Sequence, residues 1–141
     1  MAVRFYIDQD LRGLGKLLVQ VRTDVTYTGD PGGIGIDKLL RPPSPIAVGA
    51  LDPDWIPIAA GAGWIVITKD RHMKTRPDER KLIQDSEARH LRLVGPRRKR
   101  NLTKWEQLQL VAGNWGAIER LCDVPGPWIY ALSRTKLTQE L

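Results

Sequence analysis

An α/β fold on a mostly parallel sheet is the fold class this sequence of 141 residues predicts, and three observations predict it. Short β-rich apolar runs end in an aspartate twice, at Val3-Arg4-Phe5-Tyr6-Ile7-Asp8 and at Trp64-Ile65-Val66-Ile67-Thr68-Lys69-Asp70. Segments with helical apolar spacing alternate with the strand-like runs. The opening order, strand then helix then strand, fits a right-handed parallel crossover. In such folds the residues just past the carboxyl ends of the strands converge on one edge, where ligands bind. Asp8 and Asp70 are therefore expected to share a site although 62 residues separate them.

Residues 3–7 are rich in β-formers and read as a buried first strand. Asp10 is placed to cap the helix that follows, since its carboxylate can accept the free N–H groups of a first turn. Leu11, Leu14, Leu17, Leu18 and Val21 recur at helical spacing. Gly13 and Gly15 each cost that helix about 1 kcal/mol relative to alanine, which points to close backbone packing. Residues 23–28 form a second short strand. Residues 29–51 read as a long loop with at most one helical turn near residues 36–40, because Asp30-Pro31-Gly32-Gly33-Ile34-Gly35 and Arg41-Pro42-Pro43-Ser44-Pro45 break regular structure. The glycines match neither phosphate-loop spacing, so that reading is rejected.

Asp52-Pro53-Asp54-Trp55-Ile56-Pro57 opens the next helix, and its two aspartates compete for the N-cap. A cap at Asp54 keeps Pro57 in the first turn, where a missing N–H costs little. That assignment leaves Asp52 on the preceding loop, free to point elsewhere. The helix ends near Gly61-Ala62-Gly63, and residues 64–68 are the second committed strand. Arg71-His72-Met73-Lys74-Thr75-Arg76 is a basic loop. Pro77-Asp78-Glu79 reads as a helix start, with the helix running to about Ala88. Residues 90–94 form another strand, followed by a turn at Gly95-Pro96 and the basic run Arg97-Arg98-Lys99-Arg100. A long amphipathic helix carries Trp105, Leu108, Leu110, Val111 and Trp115, breaks near Gly113 and resumes through Ile118 and Leu121. Residues 128–132 are a final strand, with Ser133-Arg134-Thr135-Lys136 behind it.

Composition narrows the function classes. Hydrophobic residues are 42% and charged residues 27%, a globular balance in a length that suits one domain. Residues 1–94 carry the site motifs, and residues 95–141 add the basic loop, the long helix and the last strand. No apolar run approaches the roughly 18 residues that span a bilayer, and no signal peptide is expected. The single cysteine, Cys122, excludes an internal disulfide and a thiolate zinc site, and makes the cytoplasm the expected compartment. With only two histidines, any metal would be held by carboxylate oxygen, which favours Mg²⁺ or Mn²⁺. The net charge is +6, but residues 69–104 hold 13 Lys/Arg against 5 Asp/Glu, a local net of +8. A basic middle beside an acidic cluster suggests a polyanion held near a metal centre.

The candidate metal ligands are Asp8, Asp70 and either Asp52 or Asp54. Carboxylates crowded in one site repel unless a cation neutralises them. A cation so held lowers the pKa of bound water and orients it for in-line attack on a phosphate. Thr68 is placed to hydrogen-bond a carboxylate or a metal-bound water. Lys69, Arg71, His72, Arg76, Arg97 and Arg98 are the candidate substrate contacts. Trp55, Trp64, Trp105, Trp115 and Trp128 are capable of stacking bases, but their apolar contexts favour core packing.

These motifs resemble the PIN-domain nucleases, especially the PIN-like toxins of bacterial and archaeal toxin–antitoxin pairs, the VapC group. The matching residues are Phe5-Tyr6-Ile7-Asp8, Asp52-x-x-Trp55-Ile56, Gly63-Trp64-Ile65-Val66-Ile67-Thr68-Lys69-Asp70 and Arg76-Pro77-x-Glu79-Arg80. The resemblance implies a three-layer α/β/α sandwich and a Mg²⁺- or Mn²⁺-dependent ribonuclease. It further implies a cognate antitoxin as inhibitor and a homodimer. It aligns Asp8 with the family's first acidic residue, Asp52 (or Asp54, close behind) with the later one, and Asp70 with the last, after the hydroxyl residue Thr68. The family's mid-chain glutamate has no counterpart, since no Glu precedes Glu79; Asp30 and Asp37 are the substitutes on offer. The alternative is a PIN-like module without catalysis that binds RNA or protein.

Overall fold

The computed structural model of the protein describes residues 2–34, 40–70, 76–95 and 101–141. Its centre is a sheet of six strands: β1 (Phe5–Ile7), β2 (Val25–Tyr27), β5 (Ile65–Thr68), β6 (Arg89–Leu93), β7 (Trp128–Leu132) and β8 (Leu137–Gln139), in the spatial order β2-β1-β5-β6-β7-β8. The first five are parallel, and β8 returns antiparallel beside β7. The chain moves outward from β1 to β2, then crosses back to place β5 on the other side of β1. The order therefore reverses between β1 and β5, and the loops there diverge to leave a crevice.

Helices cover both faces, as a mostly parallel sheet buried on both sides requires. On one face α1 (Arg12–Leu18), α4 (Lys104–Gly113) and α5 (Trp115–Arg120) pack Leu14, Leu18, Leu110, Val111 and Ile118 against Phe5, Ile7, Ile65, Ile67 and Leu91. On the other, α2 (Asp52–Gly61) and α3 (Pro77–Ser86) pack Trp55, Ile56, Ala59 and Ile83 against Tyr6, Val66 and Ile129. The result is the expected α/β/α sandwich. Gly15 shows why glycine stands in α1: a Cβ there would lie 2.5 Å from Cβ of Tyr27, so only glycine lets the helix meet β2 this closely.

Several local expectations change. The long loop holds an antiparallel ribbon, β3 (Gly33–Ile34) with β4 (Leu40–Arg41), so Leu40 is extended rather than helical; residues 35–39 lie outside the described residues. The ribbon is anchored by a buried ion pair between Arg41 and Asp30, and Asp30 also accepts from Thr26 Oγ1 at 3.0 Å. Asp30 is thus a structural counter-ion and not a substitute ligand. Neither aspartate caps α2: the N-cap is Leu51, Asp52 is the first helical residue and Pro57 lies inside the helix. Asp10 does not cap α1 either, for a 3₁₀ turn (Gln9–Leu11) intervenes, and it is Asp8 that accepts the Gln9 amide at 2.7 Å. The break between α4 and α5 falls where Gly113 suggested. Strand β8 was not anticipated, being too short and polar to show in the pattern.

Candidate active site

The crevice between β1 and β5 opens into a cleft of about 530 Å³ lined by Asp8, Gln9, Asp10, Asp52, Trp55, Lys69, Asp70 and Asn101, together with Ala50. Asp8 follows β1 directly, its backbone N–H still bonded to Ile67 O at 3.0 Å, so it lies level with the end of β5. The 3₁₀ turn, closed by Leu11 N to Asp8 O at 2.9 Å, swings Asp10 back to the same edge. Opposite them stands Thr68, the fully buried last residue of β5. Its Oγ1 lies 3.1 Å from Asp8 Oδ2 and 3.1 Å from Asp10 Oδ2, and it accepts the Asp70 amide at 3.3 Å.

That arrangement has an arithmetic consequence. A threonine hydroxyl donates one hydrogen, and two carboxylate oxygens compete for it. Asp10 finds further help from the Lys69 amide at 3.2 Å, and Asp8 from the Gln9 amide. Among the described residues neither carboxylate meets a guanidinium or ammonium in an ion pair. Burial, then the charge of Asp10, pushes the Asp8 carboxyl up to about 7, against the opposing bonds from Gln9 and Thr68. Burial also raises Asp10, with the charge of Asp70 adding to it. The pair is short of positive charge.

Asp52 enters the cleft from the first turn of α2, where its Oδ1 accepts the indole N–H of Trp55 at 2.9 Å. Trp55 is buried, packs tilted against Tyr6 and stacks on His90, with centroids 5.5 and 6.0 Å away, so the indole fixes the carboxylate. Burial pushes His90 down to about 3, leaving a neutral ring beneath the site. The loop before α2 is tied to the site by Gly49 N, which donates to Gln9 Oε1 at 2.8 Å. Arg76 pairs with Glu79 at 2.8 Å, and the charges of Asp70 and Asp52 help hold it protonated.

The structure thus brings together Asp8, Asp52, Asp70, Thr68 and Lys69, with Arg76 in range. Asp54 is exposed and does not line the cleft. Arg71, His72, Arg97, Arg98 and Asp37 lie outside the described residues. Asp10, Asn101 and Trp55 are members that the sequence reading assigned elsewhere or passed over. The signal for Asp10 was present, a second aspartate two residues past a strand end, but the capping rule claimed it. Among the described residues no three His, Cys, Asp or Glu side chains are already gathered as a metal-binding group. The donor set is nonetheless all oxygen, and its Asp8–Asp10 pair has no ion-pair partner among the described residues, which suits a hard divalent cation.

Comparison with known proteins agrees with this geometry. No curated protein and no solved structure matches the chain. The family model described as PIN-like domain matches residues 4–95, roughly two thirds of the sequence and the whole span from β1 to the end of β6. With its crossover sheet and the aspartates at its switch point, this chain belongs to the PIN-like domain family, whose members are generally nucleases.

Proposed function

We propose that the protein is a metal-dependent endoribonuclease of the toxin type, of the VapC group, held in check by a cognate antitoxin. The observation that carries the reading is the pair Asp8 and Asp10 sharing one threonine hydroxyl at the sheet's switch point, with no ion-pair partner for either among the described residues. Asp8, Asp10, Asp52 and Asp70 would hold Mg²⁺ or Mn²⁺. Such a cation, when bound, would activate water and steady the charge that builds on a phosphate. Thr68 orients the two inner carboxylates. Lys69, which lines the cleft, and Arg76, within reach of the charges of Asp70 and Asp52, are suited to the RNA backbone. Arg71, His72, Arg97 and Arg98 are proposed as further RNA contacts from the sequence alone. Cys122 is a free thiol, in keeping with action in the cytoplasm, and a homodimer accords with the same resemblance. Asp8→Asn and Asp70→Asn, made separately, should each lower Mg²⁺-dependent RNA cleavage by about 100-fold or more. Unchanged rates in both variants rule the mechanism out.

A second reading is favoured by the missing mid-chain glutamate and by the absence, among the described residues, of a gathered metal-binding group. Here the chain binds RNA or protein without cleaving it. RNA retained in EDTA and intact at millimolar metal would establish this reading.

A further inference from the structure

A second cleft, of about 640 Å³, lies under α4 and the β7–β8 hairpin, beyond the carboxyl end of β6. It is built almost wholly from residues outside the span that the family model matches. We infer that it is a nucleotide subsite, holding a nucleotide of the RNA strand next to the one whose phosphate lies at Asp8. The inference rests on the nuclease reading for its substrate and on three observations for its place.

The first is continuity. Asn101 lines the carboxylate cleft and Leu102, the next residue, lines this one, so the two clefts adjoin along the chain. The second is a division of chemistry within a volume suited to one nucleotide. The hairpin side carries Arg134 and Lys136, cations for a phosphate. The helix side carries Glu106, Gln109 and Asn114, where a phosphate is disfavoured and the edge of a base finds donors and acceptors. Glu106 already receives the Thr103 amide at 2.9 Å in the helix cap, and Asn114 Nδ2 donates to Leu110 O at 2.7 Å, so these side chains are held in position. The third is Trp105, in the first turn of α4 and one turn before Gln109. It is 65% exposed, although the other four tryptophans are wholly or partly buried in or against the core. An indole left in water, next in the chain to Glu106 and one turn from Gln109, both of which line the cleft, is a stacking platform for a base.

The test is fluorescence anisotropy of a labelled single-stranded RNA about ten nucleotides long, a length within common site sizes. It is run in EDTA at low salt on the full chain. Trp105→Ala should weaken binding about fivefold or more, as loss of one base stack does. Lys136→Ala should weaken it clearly more than Lys81→Ala, which removes the same charge from α3 on the opposite face, while thermal melting stays unchanged. Variants within twofold of wild type, or no RNA bound at all, overturn the subsite. Wild-type cleavage of RNA with normal binding by Trp105→Ala rejects the subsite and keeps the nuclease. Binding that is sensitive to these substitutions, without cleavage at millimolar metal, keeps the subsite and rejects catalysis.

Discussion

The two ends of strand β1 face aspartates in opposite electrostatic states. At the amino end Asp24 has no exposed surface, and it is held by Arg4 at 2.6 Å and Arg22 at 2.8 Å. Burial alone would raise its pKa, but the two guanidiniums outweigh burial and leave it lowered. At the carboxyl end Asp8 is half-buried and Asp10 keeps an exposed flank; they receive amide and hydroxyl hydrogens in place of arginine, and the protein packed around them raises both. Asp30, like Asp24, has an arginine partner within the fold, Arg41. A carboxylate used for architecture is neutralised within the fold. One left short of positive charge marks a place where a cation or proton from outside completes the site.

The largest effect that would break this contrast is at Asp24. Asp24→Ala should cost about 3 kcal/mol in urea unfolding, the low end for removing one partner of a buried pair. The low end applies because Arg4 and Arg22 keep about a third of their side-chain surface in water. A loss under about 0.5 kcal/mol, the size of a neutral surface change, would erase the contrast.

Asp8 should behave in the opposite way. Its folded-state pKa of about 7 exceeds the ordinary value of 3.8, so between those values the native protein binds a proton that the unfolded chain has released. Without divalent metal, stability should therefore fall as pH rises from about 4 to about 7, by roughly 2–4 kcal/mol, and level off above. Asp8→Asn should flatten that slope and gain about 2 kcal/mol at pH 8. A variant less stable than wild type at pH 8 refutes the assignment.

The smallest expected effect sharpens the contrast. Mg²⁺ at about ten times its dissociation constant should stabilise the wild type by about 1.4 kcal/mol. The same Mg²⁺ should leave Asp8→Asn unmoved while stabilising Asp30→Asn, measured from its own lower baseline, as much as wild type. Equal stabilisation of Asp8→Asn by Mg²⁺ would remove Asp8 from the ligand set.

Much of this was legible in the residues. The strands at 3–7 and 64–68, the helix after Pro77 and the break near Gly113 follow from apolar period and turn chemistry, which act over a few residues. Asp8, Thr68 and Asp70 were expected at the carboxyl edge of the sheet because each stands at or just past a strand end, and they lie there. Asp10 and Asp54 were misread for a shared reason. Local capping rules weigh a carboxylate only against nearby N–H groups. In the folded chain the 3₁₀ turn turns Asp10 toward Thr68, 58 residues away, and the backbone of Leu51 starts α2.

The pieces were thus written in the residues: two strands that run into aspartates, the helices that cover them and a basic middle. Their convergence came from the folded chain. It placed β5 beside β1, where the order of the sheet reverses and the crevice opens. It also drew Asp8 and Asp10 onto one hydroxyl and tied Asp52 to the Trp55 indole. Strand neighbours are chosen by burial of both sheet faces across the whole chain, and no local pattern carries that information.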